Sequence, residues 1–293
     1  MASEPDFTII RDDAHTEALN EKIRAKFGPS QRRDAVHASD LFYCLRKAHA
    51  KRRLPEGADP SDDTLLTWLE GLMFEDLVST GDKQRAAAYC FHCRTVSRVT
   101  RPVTDRVLPE PVTCPVCATP WLMFTPDYID DQGIIHEVKQ TRKSQRRGPE
   151  DAPWWVEQVK TYLLFARRAH WTQAPYARLV VNWIMGDYGS KRKGERPRPP
   201  QSALESFLVV FREGFEDEWE SELLRRQQVV LADEQPPLTG MGEWMGGCPQ
   251  SPAYEWECSS CPVGLAINCE RYLWDAAGKV IGAPSDAAEE ESE

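Results

Sequence analysis

The sequence predicts an α/β fold in which a mixed central sheet is flanked by helices. Residues 124–141 have the pattern of a strand, a tight turn at 131–133 and a second strand. An apolar stripe of helical period follows at 153–170, and two further strand patterns follow at 176–185 and 206–212. A hairpin followed by a helix, two strands and a final helix is the order expected of a layered α/β core.

Helices are also predicted on either side of this core. Residues 1–35 form a helical lead-in, and Ser39 is a candidate N-cap for a helix that carries basic residues. The pattern at 64–80 predicts a helix with its leucines inward, Pro153 opens the helix after the hairpin, and 214–231 forms the last helix. The chain has no internal repeat.

Composition excludes several classes of protein. The 293 residues are 41% hydrophobic, so a core can form, but no run of eighteen apolar residues is present to span a membrane. Residues 1–20 have no apolar segment typical of a signal peptide, and we expect a cytoplasmic protein with no membrane partner. The net charge of −10 argues weakly against nucleic-acid binding, although basic residues cluster at 139–147 and 191–198. The candidate DNA-binding residues are Arg142, Lys143, Arg146 and Arg147.

The predicted hairpin carries a pattern suited to phosphodiester chemistry. Asp127 lies on its first arm, and Glu137 and Lys139 lie two residues apart on its second arm, so they point to one face of the sheet. Carboxylates of this kind hold a hard divalent cation, and a nearby lysine steadies negative charge or the attacking water. Hairpins also carry surface acids, so this short motif is a weak signal by itself.

Nine cysteines in a chain without an export signal indicate metal binding rather than disulfides. Cys90 and Cys93 form one CxxC pair, and Cys114 and Cys117 form a second pair after a spacer of twenty residues. Paired CxxC turns of this spacing predict a zinc ribbon over 88–122, inserted before the Asp127 strand. The alternative is two surface CxxC pairs with redox character. The role of the ribbon stays open between guidance of a DNA strand and a protein-docking surface.

Several separate motifs resemble one nuclease family. Residues 39–47, SDLFYCLRK, resemble the N-terminal signature of RecB-like nucleases that carry an iron–sulfur cluster, and residues 71–75 resemble their GxxxH/E segment. Asp127 with residues 137–139 resembles the core PD-(D/E)XK motif, and residues 158–162 resemble the QxxxY segment that follows it. In this order the motifs resemble the CRISPR-associated "Cas-four" exonucleases and the related AddB nuclease domain, across nearly the whole chain apart from the ribbon.

The resemblance implies roles for individual residues. It implies a restriction-endonuclease-like core in which Mg²⁺ or Mn²⁺ is held by the carboxylates and one carbonyl. Lys139 would orient or activate the water, and Gln158 and Tyr162 would position DNA or the active-site residues. The implied ligands of the cation are Glu75, Asp127, Glu137 and the carbonyl of Val138.

The resemblance also implies a [4Fe–4S] cluster. Cys258, Cys261 and Cys269 resemble the C-terminal cysteine trio of the family, and Cys44 would be the fourth ligand. The gap from Cys261 to Cys269 is longer than the usual one, and Cys248 is a nearby thiol that could replace one of the three. Members of the family often have histidine where this chain has glutamate at 75, and the ribbon is not part of the common pattern.

Together these features predict a metal-dependent DNA exonuclease that acts on single-stranded ends in recombination, repair or phage DNA processing. One alternative is an end-trimming nuclease of CRISPR spacer acquisition with an integrase partner. Another is a non-catalytic DNA-binding or assembly protein with a nuclease fold. The predicted organisation is an N-terminal helical region, a zinc ribbon, a nuclease core, an iron–sulfur region and a disordered acidic tail. The boundaries are 1–87, 88–122, 123–235, 236–275 and 276–293.

Overall fold

A computed structural model of the chain describes residues 13–27, 36–53, 62–79, 82–83, 87–98, 113–142, 148–184, 202–236 and 261. The helices are α1 (Asp13–Phe27), α2 (Leu45–Arg53), α3 (Asp62–Val78), α4 (Pro153–Arg168) and α5 (Phe215–Leu231), with short 3₁₀ helices at Ala38–Leu41 and Pro149–Asp151. The strands are β1 (Val36–His37), β2 (Asp82–Lys83), β3 (Ala87–Cys90), β4 (Thr95–Arg98), β5 (Leu122–Phe124), β6 (Tyr128–Ile129), β7 (Ile135–Thr141), β8 (Tyr176–Trp183) and β9 (Ala203–Val210).

The strands form two mixed sheets, which confirms the predicted mixed α/β architecture. The larger sheet has the order β2-β6-β7-β8-β9, in which β7 and β8 are parallel and the other pairs are antiparallel. The smaller sheet has the order β1-β5-β3-β4, with β1 and β5 parallel. The sequence predicts one sheet only, because the strands of the smaller sheet are two to four residues long and lie among cysteines and prolines.

Helix α4 packs over both sheets and lies at the centre of the core. Leu163 and Ala166 on its apolar stripe are fully buried, and the helix contacts β7 and β8. Its Phe165 ring lies 4.6 Å from the ring centroid of Tyr89 on β3 and 5.0 Å from that of Phe124 on β5. The stripe that predicts this helix therefore also explains why the two sheets share one core.

Pairing between β7 and β8 decides which face of the larger sheet points inward. Glu137 pairs with Leu179 and Lys139 pairs with Val181, and both of these partners are fully buried. Paired residues of neighbouring strands point to the same side of a sheet. The two charged residues of the predicted motif therefore face the core side, under α4, rather than the outer face.

The start of α2 differs from the prediction. A helix is predicted to begin at Ser39, but residues 38–41 form a 3₁₀ helix and α2 begins at Leu45. The backbone nitrogen of His37 donates a 3.0 Å hydrogen bond to the Asp40 carboxylate, which satisfies a donor at the start of the 3₁₀ helix. The N-cap signal at Ser39 was therefore misplaced, although a helical segment does follow it.

The first arm of the predicted hairpin is divided, because Phe124 ends β5 in the smaller sheet and only Tyr128–Ile129 (β6) pairs with β7. The later predicted elements are present with small shifts of their ends. The helices predicted at 64–80, 153–170 and 214–231 correspond to α3, α4 and α5, and the later strands correspond to β8 and β9. Among the described residues, none of the helices has both the length and the apolar character needed to cross a membrane. The predicted acidic tail at 276–293 lies outside the described residues.

Candidate active site and cysteine site

The hairpin of β6 and β7 is closed by a turn organised around Asp130. Its Oδ1 accepts hydrogen bonds from the backbone nitrogens of Gln132 (3.0 Å) and Ile134 (2.9 Å). Its Oδ2 lies 2.9 Å from Nε2 of His136 and 3.3 Å from a guanidinium nitrogen of Arg178. Asp130 thus ties the turn to both β7 and β8, and the predicted tight turn is a rigid connection between the two arms of the hairpin.

Asp127 immediately precedes β6 and is held against β7. Its Oδ2 accepts a 2.6 Å hydrogen bond from the backbone nitrogen of Val138. Burial raises the pKa of Asp127, and the nearby ammonium of Lys139 acts against that rise. The carboxyl groups of Asp127 and Glu137 are near enough for each to act on the pKa of the other. The structure therefore brings together the two acids that the sequence motif predicts.

Glu137 and Lys139 form an ion pair on β7. Oε1 of Glu137 accepts a hydrogen bond from Nζ of Lys139. The Glu137 side chain is 1% exposed, and burial together with the Asp127 carboxylate raises the pKa of Glu137 to about 8. Burial alone lowers the pKa of Lys139, but the Glu137 carboxylate outweighs it and the net pKa is raised, which favours the charged ammonium.

Glu75 lies near the C-terminal end of α3, which packs against β7. Its side chain is half-buried, and its negative charge contributes to the raised pKa of Glu137. Its backbone carbonyl accepts hydrogen bonds from the nitrogen and the hydroxyl of Ser79, at 3.0 Å and 2.6 Å. The structure therefore places Glu75 near enough to Glu137 to act on its pKa, but not within ligand spacing of Asp127 and Glu137 together.

Gln158 and Tyr162 lie one turn apart on α4 and are both buried. The side-chain amide of Gln158 donates a 3.1 Å hydrogen bond to the hydroxyl oxygen of Tyr162. Burial raises the pKa of Tyr162 well above its ordinary value, with further contributions from the carboxylates of Glu137 and Asp127. Tyr162 of this pair therefore lies near the carboxylates of Glu137 and Asp127 on the α4 side.

One carboxylate oxygen bears on whether this site could hold a divalent cation. Oε2 of Glu137 is buried and has no hydrogen-bond partner among the described residues, whereas buried carboxylate oxygens are normally paired. Carboxylate oxygens are the ligands that Mg²⁺ and Mn²⁺ prefer. In the described part of the chain, the only group of three or more ligand side chains whose donor atoms all lie within 4.8 Å is a set of four cysteines. A cation that used Glu75 as well as Asp127 and Glu137 would therefore draw the three carboxylates closer together.

Tyr43 is a residue of this site that the sequence motifs do not single out. It lies between the first 3₁₀ helix and α2, is half-buried, and packs against the main core. Its oxygen is close enough to Lys139 and Tyr162 to influence the pKa of each. An aromatic residue next to a cysteine has the pattern of ordinary core packing, so its position in SDLFYCLRK was the one signal available.

The predicted DNA-binding residues are only partly described. Arg142 follows β7, is 64% exposed, and forms an ion pair of 3.3 Å with Glu70 on α3. Lys143, Arg146 and Arg147 lie outside the described residues. Arg142 is therefore placed between the end of β7 and α3.

The four cysteines of the predicted ribbon come together. Sγ of Cys90 lies 3.4 Å from Sγ of Cys117, and Sγ of Cys114 lies 3.9 Å from Sγ of Cys93. Cys90 and Cys114 are buried in a small apolar cluster with Ala88, Trp121 and Met123. A 3.2 Å hydrogen bond between Cys117 and the Thr119 hydroxyl lowers the pKa of Cys117 to about 6 and favours its thiolate. This group is suited to a metal ion or an iron–sulfur centre.

Both CxxC turns have the same backbone feature. The residue after each second cysteine, Arg94 and Ala118, has a positive φ of 51° and 59° respectively. The backbone nitrogen of Cys93 also points at Sγ of Cys90, at 3.4 Å. Residues other than glycine adopt this left-handed conformation at a cost, so its repetition in both turns indicates a constraint shared by the two halves of the site.

Side-chain contacts join the cysteine site to α5. Arg94 forms ion pairs with Asp217 (3.6 Å) and Glu220 (3.4 Å), and the Tyr89 hydroxyl donates a hydrogen bond to Glu220. The side-chain amide of Gln227 donates a 3.3 Å hydrogen bond to the carbonyl oxygen of Pro120. The structure thus pairs a basic residue of the ribbon with acids of α5.

The predicted cluster ligands are only partly described. Cys44 and Cys261 are both half-buried and are not in disulfides. Cys258, Cys269 and the nearby Cys248 lie outside the described residues. The four ligands implied for an iron–sulfur cluster are therefore not placed as a set.

Comparison with known proteins adds little to this geometry. No family model matches the chain, and no curated protein matches it significantly. One similar solved structure is described as "Crystal structure of SSO0001"; it is 14% identical, with 85% of this chain and 94% of that chain covered and a TM-score of 0.41. A similarity at this level leaves the family of the chain open.

Proposed function

We propose that this chain is a metal-dependent deoxyribonuclease with a RecB-like PD-(D/E)XK core. The observation that supports the proposal most is the buried Glu137 carboxylate, which has one unpartnered oxygen, lies beside Asp127 and is paired with Lys139. Two neighbouring carboxylates at the edge of a core reduce stability, and such arrangements are typical of functional sites. The proposed substrate is DNA with a single-stranded end.

The proposed reaction is hydrolysis of a phosphodiester bond. Water adds to the phosphorus and the bond to one ester oxygen breaks, which leaves a phosphomonoester and an alcohol. Asp127, Glu137 and the carbonyl of Val138 would hold Mg²⁺ or Mn²⁺, with Glu75 as a further ligand. When bound, the cation offsets negative charge on the phosphate and favours loss of a proton from the attacking water.

The other residues of the site would position the reactants. Lys139 is held by Glu137 with its ammonium at the carboxylates, where it can donate a hydrogen bond to the water or to a phosphate oxygen. The Tyr162 hydroxyl already accepts a hydrogen bond from Gln158, so its own proton is available for donation. Lys139 and Tyr162 would fix the orientation of the Asp127 and Glu137 carboxylates and would exclude water from the side of the site that faces α4.

A cleavage assay on the full-length chain tests the proposal. Anaerobically purified protein with Mg²⁺ or Mn²⁺ should degrade linear single-stranded DNA from an end. Asp127→Ala and Lys139→Ala should each abolish degradation, whereas Asp131→Ala, at an exposed position of the same hairpin, should not. No cleavage by the wild-type protein in either metal would favour a non-catalytic DNA-binding protein. Equal cleavage of circular strands would leave a nuclease but exclude an exonuclease.

We further propose that the four-cysteine site holds one Zn²⁺ ion. Tetrahedral Zn²⁺ with Zn–S bonds of about 2.3 Å places its sulfurs roughly 3.8 Å apart, and the two measured Sγ separations are 3.4 Å and 3.9 Å. A [4Fe–4S] cluster contains its own sulfides and holds its cysteines farther apart. Elemental analysis should find one zinc per chain that is lost in Cys114→Ser. Iron in its place would contradict the proposed zinc.

The proposed [4Fe–4S] cluster uses Cys44, Cys258, Cys261 and Cys269. It would join the segment before α2 to the end of the chain, and a cross-link over so long a loop stabilises a fold by reducing the entropy of the unfolded chain. The purified protein should be brown, with about four iron atoms per chain. Cys44→Ser should lose the colour, and Cys248→Ser should keep it. A colourless, folded protein that contains only zinc would contradict the cluster.

The proposed partner is DNA, in recombination, repair or phage DNA processing. The alternative process is end trimming in CRISPR spacer acquisition, with an integrase as the protein partner. A pull-down of the tagged chain from its native cells separates the two: recovery of an integrase supports the second process, and recovery of recombination proteins supports the first.

A further inference from the structure

The segment that carries Tyr43 is fixed in the core. Phe42 and Leu45, on either side of it, are both fully buried. The carbonyl oxygen of Leu41 accepts a 2.9 Å hydrogen bond from the guanidinium of the buried Arg226 on α5. A side chain on such a segment is positioned by the fold rather than by a mobile loop.

The Tyr43 side chain packs against the main core between the first 3₁₀ helix and α2. The residue is half-buried, so part of it is open to solvent. Nζ of Lys47, one helical turn further along α2, lies 5.5 Å from the centroid of the Tyr43 ring, within the range of a cation–π contact. The phenolic oxygen is close enough to interact electrostatically with Lys139 and with the Tyr162 hydroxyl. Tyr43 therefore connects the basic helix α2 with the proposed catalytic residues.

The acidic character of the proposed site explains why a phosphate would need a further contact beside it. A phosphodiester that enters this site meets the carboxyl groups of Glu75, Asp127 and Glu137, which carry negative charge when they hold a cation. The ammonium of Lys139 is already paired with Glu137, so it offsets only part of this repulsion. Lys47 is the cation beside the Tyr43 ring, and a tyrosine hydroxyl can donate a hydrogen bond to a phosphate oxygen.

We propose that the Tyr43 hydroxyl and the Lys47 ammonium together bind a phosphate of the nucleic-acid strand that is cleaved at the carboxylate site. This inference rests on the proposed nuclease function and adds to it a substrate-binding pair from the N-terminal segment. Contact with a phosphate is independent of base sequence, so the pair favours a nuclease without sequence specificity. The same contact with Tyr43 and Lys47 would hold the strand both before and during cleavage.

The test is binding of a fluorescein-labelled single-stranded oligonucleotide to the full-length chain, with Ca²⁺ in place of Mg²⁺ to prevent turnover. Tyr43→Phe removes only the hydroxyl, and loss of a hydrogen bond to a charged group should raise Kd roughly tenfold. Lys47→Gln should raise Kd. It should also reduce the slope of log Kd against log salt concentration by the amount expected for the loss of about one phosphate contact. In cleavage assays Tyr43→Phe should raise KM with kcat nearly unchanged, as expected for uniform binding.

Two matched variants serve as controls. Tyr176→Phe removes a hydroxyl from a half-buried tyrosine at the start of β8, and Lys51→Gln removes an exposed charge from the end of α2. Neither should change Kd as much as its counterpart at the site, and thermal unfolding of all four variants should match the wild type.

The outcomes separate this inference from the proposed function. If the wild type cleaves DNA but Tyr43→Phe and Lys47→Gln bind as it does, the phosphate-binding pair is wrong and the nuclease stands. If the wild type binds DNA without cleaving it in Mg²⁺ or Mn²⁺, the nuclease is wrong, and the affinities of the two variants still decide the pair. A wild-type chain that does not bind single-stranded DNA overturns the pair directly.

Discussion

Oδ2 of Asp127 accepts a 2.6 Å hydrogen bond from the backbone nitrogen of Val138. Val138 lies between Glu137 and Lys139 on β7, so the main chain of that strand holds the acid of the first arm beside the acid of the second. Because the donor is a backbone group, this alignment is independent of the side chain at position 138. The spacing of the two acids in the proposed site is thus set by β7 itself.

Asp127→Asn should increase the stability of the metal-free protein. The amide oxygen can still accept the hydrogen bond from Val138, while the Asp127 charge that opposes ionisation of Glu137 is removed. We expect the free energy of unfolding to rise by about 1 kcal/mol at neutral pH, measured by urea unfolding in the presence of a chelator. Added Mn²⁺ should stabilise the wild type but not the variant. A variant that is less stable than the wild type under chelation would contradict repulsion between Asp127 and Glu137.

Asp130→Asn should lose stability in a pH-dependent way. Burial alone raises the pKa of Asp130, but hydrogen bonds from His136, Ile134 and Gln132 outweigh it and lower the net pKa below the ordinary value. A carboxyl with a lowered folded-state pKa stabilises the fold above the unfolded-state value of about 3.9 and loses that contribution as pH falls through the folded-state value. The substitution should therefore lower the free energy of unfolding by about 1–2 kcal/mol at pH 7 and by much less in acid. Denaturant unfolding of the wild type and the variant across this pH range measures the loss of stability. A loss that stays constant into acid would contradict the stabilising role of the ionised Asp130 carboxylate. Asp131→Asn is the control in the same turn.

The sequence predicts some parts of the site better than others, for physical reasons. Asp127, Glu137 and Lys139 could be aligned because strand periodicity fixes the face on which a residue lies. The cysteines could be grouped because metal ligands follow strict spacings. Arg226 and Tyr43 could not be found in this way, since two partners of Arg226, Glu157 and Leu41, lie 69 and 185 residues away in sequence. The smaller sheet was missed because its strands are too short for a periodic pattern.

Ala118→Gly should stabilise the protein. Ala118 is exposed and has a φ of 59°, and glycine adopts this conformation without the cost imposed by a Cβ atom. The free energy gained by relieving this strain exceeds the free energy lost through the greater flexibility of glycine in the unfolded chain. We therefore expect an increase of about 0.5–1 kcal/mol in unfolding free energy. Ala232→Gly is the matched control: Ala232 is exposed with a φ of −56°, and glycine there should be neutral or destabilising. Equal effects at the two positions would contradict a strained CxxC turn.

Arg226→Met should be among the most destabilising single changes in the described part of the chain. Arg226 is 2% exposed, and its guanidinium binds Glu157 at 2.9 Å, Glu222 at 2.8 Å and the carbonyl of Leu41 at 2.9 Å. Methionine fills much of the volume but leaves the Glu157 carboxylate, only 12% exposed, without its cation, at a cost of about 3–5 kcal/mol. Adding Glu157→Gln should recover more than half of the loss, because the uncompensated charge is then removed as well. Arg225→Met, one residue earlier and paired with Glu222 in a more exposed position, should cost about 1 kcal/mol or less. Thermal and urea unfolding of the single and double variants measure these differences, and a double variant no more stable than Arg226→Met would show that the loss comes from packing rather than from the buried charge.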